Sequence, residues 1–195
     1  MNVFEIMECI ASPYDFAEFD TLYKSKQKRN KTILALYGHT NPFDAKIALQ
    51  FIHHSMTRDF VWVGVMYQLY YHMMPPIIKD YFISTQPDGG GVNSISFIDI
   101  LVIWVEGQLP WKSSVSSGFY HIAERESADI ILGWFDHQEK RFRGKLIVHG
   151  SPEFNKSTIL DYWKSVVAEY GADRIAFNPE SLGDLKFSEE TKSQL

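Results

Sequence analysis

Cysteine is nearly missing from this chain of 195 residues: Cys9 stands alone. No internal disulfide can form, and a reducing compartment is the expected setting. Basic residues are also in deficit. Nineteen Lys and Arg against 24 Asp and Glu give a formal net charge of −5, which argues against nucleic acid as the main partner. No apolar run suits a bilayer span. The most apolar stretch, Phe60 to Ile78, is interrupted by Gln68, His72 and the Pro75-Pro76 pair, whereas a spanning helix needs about 20 mostly apolar residues. The opening residues carry Glu5 and Glu8 and have no basic n-region, so they do not read as a signal peptide. Aromatic residues, by contrast, are abundant at 15%, a supply that usually fills a core and also suits contact with lipid.

Apolar spacing along the chain predicts a succession of short elements. Val3, Phe4, Ile6, Met7 and Ile10 have helical spacing, and the basic run Lys24 to Lys31 follows with five positive charges in eight residues. That run is either a solvated connector or a contact for anionic lipid headgroups, worth about 1 kcal/mol per basic residue near a membrane surface. Strands are predicted at Thr32–Gly38, Phe60–Val65, Asp80–Thr85 and Leu101–Gly107. A further pair is predicted at Asp129–Asp136 and Lys140–Gly150, with a turn between them. Helices are predicted from Pro42 to His54, from Met66 to Met74, from Val92 to Ile100 and from Ser117 to Ser127. The last helix, Ser157 to Tyr170, has Ile159, Tyr162, Trp163, Val166 and Val167 on one face and Gly171 to end it. Strands alternating with helices point to a single α/β sandwich domain over residues 32–180. The helical and basic segment 1–31 precedes it, and a polar tail, 181–195, follows.

Gly38-His39-Thr40-Asn41-Pro42-Phe43-Asp44 lies where a predicted strand hands over to a helix, the junction at which open α/β folds place their sites. A histidine titrates near neutral pH and can take a proton from a hydroxyl, and a carboxylate on its other ring nitrogen fixes the tautomer. These residues also admit a plainer account. Asn41 can be an N-cap, Pro42 the first helical residue and Asp44 a first-turn carboxylate.

Val105-Glu106-Gly107 follows the apolar strand Leu101–Trp104, and Ser117-Gly118-Phe119-Tyr120-His121-Ile122-Ala123 opens the next helix. In this ordered set the chain resembles the glycerophospholipid acyltransferase family, whose signatures are H-x-x-x-x-D and a later Pro-Glu-Gly-Thr-type block after a strand. His39 and Asp44 match the first, Glu106 and Gly107 the core of the second, and the likeness extends from about Thr32 to His149. The resemblance implies a mixed central sheet flanked by helices. It also implies transfer of an acyl group from a thioester, acyl-coenzyme A or acyl carrier protein, to a lipid hydroxyl. His39 would be the general base and Asp44 its orienting partner, with Glu106 and Gly107 shaping the acceptor pocket. No metal or other cofactor is required, and the implied location is cytoplasmic, peripherally on a membrane.

Several positions depart from the family pattern. Val105 stands in place of its usual Pro, Gln108-Leu109-Pro110 replaces Thr or Ser followed by Arg, and Asp129 occupies the position of a strand proline. The Gly-rich stretch Phe82 to Gly91 carries no Arg. Arginines in those places are expected to grip a phosphate, so their loss points to an altered acceptor, with Lys112 or Lys79 as substitute charges. Two rivals follow: a non-catalytic lipid-binding relative, and a serine esterase, which the lack of a G-x-S-x-G elbow disfavours. His53, His54 and His72 do not complete a metal site, because adjacent histidines point apart on a helix.

Overall fold

Six strands add to one sheet in an order that reverses direction once, and this reversal distributes the helices. The computed structural model describes residues 11, 13–24, 32–36, 42–56, 58, 60–67, 71, 76–85, 96–104 and 117–175. Helix α1 spans Ala17–Lys24, β1 Thr32–Leu36, α2 Pro42–Ser55, β2 Val61–Tyr67, α3 Pro76–Lys79 and β3 Phe82–Thr85. Then follow β4 Ile100–Trp104, α4 Ser117–Glu126, β5 Asp129–Asp136, β6 Arg141–Ile147, α5 Lys156–Tyr170 and α6 Ala172–Ile175. The sheet order is β3-β2-β1-β4-β5-β6. Strands β1 to β5 are parallel and β6 is antiparallel to β5, which makes the sheet mixed.

After β1 the chain builds outward through β2 and β3, then returns to the far side of β1 for β4 and β5. Parallel crossovers are right-handed, so reversing the direction of growth moves the connecting helix to the opposite face. The two cores follow this rule. On one face Leu49, Phe51 and Ile52 of α2 pack with Trp62, Ile100, Val102, Ile131 and Phe135. On the other, Phe119, Ile122 and Ala123 of α4 pack with Leu101, Ile103, Ile130, Leu132 and Trp134. Residues of β4 and β5 therefore alternate between two cores. All eight residues of β5 are buried, which is why that strand reads as a nearly unbroken apolar run.

Among the described residues, the α1/α2 face carries the denser packing of aromatic rings. Phe51 stacks on Trp62 at 4.6 Å, Phe16 meets Phe51 edge-on at 4.7 Å, and Phe19 meets Phe142 edge-on at 5.4 Å. Phe16, Phe19 and Tyr23 are thus committed to the sheet, and their rings are not offered to a lipid surface. The same N-terminal segment covers the outer edge of β6. Phe142 N–H donates to Asp15 O at 2.8 Å, Asp15 N–H donates to Lys140 O at 2.9 Å, and Gly144 N–H donates to Glu18 Oε1 at 2.8 Å. An exposed strand edge is a template for unwanted pairing, and these three bonds occupy it.

The predicted terminal helix forms as read, with the Asn155 side chain accepting from Thr158 N–H and Gly171 closing it at φ 78°. Two expectations fail in their described parts. The helix predicted over Val92 to Ile100 is absent from its described part, where Ser96–Asp99 lead directly into β4 and Phe97 has φ 64°. Phe97 N–H donates to Glu126 Oε2 at 2.9 Å, and Asp99 O accepts from Asp129 N–H at 3.1 Å. Bonds to α4 and β5 therefore replace the local helical ladder. In the segment predicted as helical from Met66 to Met74, Met66 and Tyr67 instead complete β2. Residues 1–10, 25–31 and 176–195 lie outside the described residues.

Gly64 of β2 is paired with Phe82 of β3, and a Cβ at Gly64 would stand 2.4 Å from the Phe82 ring. Gly64→Ala is expected to destabilise the protein by about 1–3 kcal/mol through overpacking. Thermal denaturation checks this: Phe82→Leu in the Gly64→Ala background should recover part of the lost melting temperature.

Candidate functional site

Strands β1 and β4 are neighbours, parallel, and in register, with Leu36 beside Ile103. Sheet growth reverses between them, and the helices that follow them, α2 and α4, lie on opposite faces. A reversal of this kind leaves a crevice at the carboxyl ends of the two strands, where open α/β sheets bind ligands. His39 follows β1 by three residues in sequence, and Glu106 and Gly107 follow β4 by two and three. These three residues and Lys112 lie outside the described residues. Asp44 is described by its backbone: it is the third residue of α2, which begins at Pro42 as the sequence suggests. Because α2 joins the end of β1 to the start of β2, its first turn is at the same edge of the sheet as the crevice. The unpaired N–H groups of such a turn favour negative charge.

The described residues at that edge form an ionic cluster that sequence reading did not find. Asp136, the last residue of β5, is fully buried and accepts from Arg174 Nε at 2.9 Å, Arg174 Nη2 at 2.7 Å and Arg143 Nε at 3.2 Å. It also accepts from Glu139 N–H at 3.1 Å, which fixes the turn between β5 and β6. Burial raises the carboxyl pKa, but the two guanidiniums and the backbone donor outweigh it and bring Asp136 down to about 2. Beside it, His137 Nδ1 lies 3.0 Å from the Tyr14 hydroxyl. Burial pushes the His137 imidazole down to about 4, against the opposing pull of a backbone hydrogen bond and Asp136. The only trace in sequence was an aspartate ending an apolar strand, because its partner Arg174 is 38 residues away.

A second His–carboxylate pair is at the opposite edge. His54 Nε2 stands 2.8 Å from Asp20 Oδ1, Arg58 Nε donates to Asp20 Oδ2 at 3.0 Å, and Phe16 stacks on the imidazole at 4.5 Å. Burial lowers the His54 pKa despite Asp20. The pair sits at the C-terminal turn of α2, on the amino-end side of the parallel strands. It ties α1 to α2 and is remote from the crevice. Asp129 is likewise structural: fully buried, it accepts from His149 N–H at 2.7 Å and joins the start of β5 to the end of β6.

Among the described residues, no group of three His, Cys, Asp or Glu is placed to hold a metal ion, and no helix is long and apolar enough to cross a membrane. No protein family, no curated protein and no solved structure matches this chain.

The two perturbed groups beside the crevice carry a pH signature. His137 has its folded pKa below the ordinary 6.5, so the folded state binds fewer protons than the unfolded chain between pH 6.5 and about 4. Its contribution to stability is complete above pH 6.5 and is lost as pH falls toward 4. The contribution of Asp136 is complete above pH 3.8 and is lost as pH falls toward 2. The wild-type melting temperature should fall between pH 7 and pH 5, and His137→Gln should show a smaller fall. Equal slopes in the two proteins would remove His137 as a source.

Proposed function

We propose that the chain is an acyltransferase, built on a glycerol-phosphate acyltransferase-type sandwich, that moves a fatty acyl group from a thioester to a lipid hydroxyl. What supports this reading is the register of β1 and β4. The H-x-x-x-x-D segment follows one of these strands and the Glu-Gly segment follows the other, on either side of the sheet's reversal. Dinucleotide-binding sheets share this strand order, but their phosphate loop is glycine-rich. The segment after β1, Tyr37-Gly38-His39-Thr40-Asn41-Pro42, has one glycine and a histidine in its place.

In the proposed reaction His39 takes the proton of the acceptor hydroxyl as its oxygen attacks the thioester carbonyl. Asp44 accepts a hydrogen bond from the other ring nitrogen and stabilises the imidazolium that forms. Collapse of the tetrahedral intermediate breaks the C–S bond. The thiolate of coenzyme A or acyl carrier protein leaves, and the proton held by His39 goes to it. Glu106 and Gly107 shape the acceptor pocket, with Lys112 a charge near it. The acceptor lies in a membrane surface on the cytoplasmic side, approached through the basic run Lys24 to Lys31. No metal or redox group is needed for these steps.

The test is thiol release from acyl-coenzyme A and from acyl carrier protein, with and without a panel of lysolipids. Acceptor-dependent release is expected in the wild type, with a loss of about 10²- to 10⁴-fold in His39→Ala, the range for removal of a general base. Folded wild-type protein that releases no thiol from either donor with any acceptor would favour a non-catalytic lipid-binding relative.

A further inference from the structure

Glu139 is at the turn between β5 and β6, nearly half exposed, yet its carboxylate is surrounded by three guanidiniums. Arg143 Nη2 donates to it at 3.0 Å, Arg174 Nη2 donates at 3.2 Å, and Arg141 Nε stands 3.3 Å away. Three positively charged forks thus converge on one singly charged carboxylate. The mismatch is visible at Arg141, whose Nε–H is shielded from solvent and has no hydrogen bond of good geometry among the described residues. Two of the three guanidiniums are held in advance. Buried Asp136 orients Arg143 and Arg174, and both lie over the Tyr170 ring at 5.8 and 5.2 Å. Guanidiniums fixed in this way lose little entropy on meeting an oxyanion.

We propose that Arg141, Arg143 and Arg174 form a binding site for a phosphate monoester, and that Glu139 occupies it as a displaceable stand-in. Backbone motion is not needed, because Asp136 holds the Glu139 N–H while the side chain turns outward. With Glu139 out, the ion-pair partners left to the three guanidiniums among the described residues are Asp136 and the more distant Glu18, 4.0 Å from Arg143 Nη1, so positive charge is in excess. A phosphate brings three acceptor oxygens and nearly two charges to it. The cluster is at the carboxyl edge of the sheet, as the ends of β1 and β4 are, and about two strand spacings from the point between them, roughly 10 Å. The source of the phosphate, an acceptor headgroup or a nucleotide-type handle on the thioester donor, rests on the acyl-transfer reading; the cradle does not.

Calorimetric titration with glycerol 3-phosphate and with adenosine 3′,5′-bisphosphate tests this on wild type, Glu139→Gln and Arg141→Gln. Neither substitution touches the Asp136 contacts, and thermal denaturation of each variant checks that the fold is kept. Binding should tighten about two- to fivefold in Glu139→Gln, as removal of a competing exposed ion pair implies, and weaken in Arg141→Gln. Preference for glycerol 3-phosphate assigns the site to the acceptor, and preference for the bisphosphate assigns it to the donor. Absence of binding, or affinities that Glu139→Gln leaves unchanged, would overturn the proposal. These titrations require no turnover, so failure of thiol release leaves them readable and their failure leaves the acyl-transfer assay untouched.

Discussion

A parallel strand can reach its neighbour only through a crossover, and the crossover is right-handed. In this chain that constraint assigns every connecting helix to a face. Building β2 and β3 on one side of β1 places α2 on one face, and building β4 and β5 on the other side places α4 opposite. The reversal between β1 and β4, the place where open α/β sheets bind ligands, follows from that choice. So does the burial of β5 on both faces, since its neighbours carry helices above and below. The proposed acyl-transfer site and the arginine cluster then share one edge of the sheet for the same topological reason.

The cluster itself is costly to build. Taking a carboxylate such as Asp136 fully out of water is repaid only when its oxygens are well bonded, and here they meet two guanidiniums and a backbone N–H. Arg174 belongs to α6 and Arg143 to β6, so one carboxylate joins the end of β5 to the two elements around it. The His54–Asp20 pair performs the same kind of joining at the other edge, between α1 and α2. Both set charge against a mainly apolar core, and both hold elements that are distant in sequence.

Elements whose formation depends on local pattern were legible before the fold was known. The long terminal helix was, because Asn155, Gly171 and the stripe Ile159, Trp163 and Val166 all agree. The β5–β6 hairpin was, because an apolar run, a charged turn and a second run lie side by side in sequence. What failed was the stretch before β4, where apolar spacing suggested a helix but bonds to Glu126 and Asp129 hold the chain in a non-helical path, with Phe97 at φ 64°. The motif around His39 could be found as a motif, and the pairing of β1 with β4 puts the strands that precede His39 and Glu106 side by side although they are far apart in sequence. The arginine cluster was not legible. Its members belong to two strands, the turn between them and a short helix, and no spacing rule connects Asp136 with Arg174.

The cover of the β6 edge by Asp15 and Glu18 has a consequence for how the molecule is made. Glu18 meets Gly144 across 126 residues of chain. On the ribosome this segment emerges well before β6, the strand it covers. Throughout that interval Phe16 and Phe19 have no strand to rest on. Such a long-range closure is slow to form, because the intervening loop must be brought together before any contact rewards it. The period between emergence of α1 and completion of β6 is therefore when the chain most needs protection from association, and a shortage of chaperone would act there first.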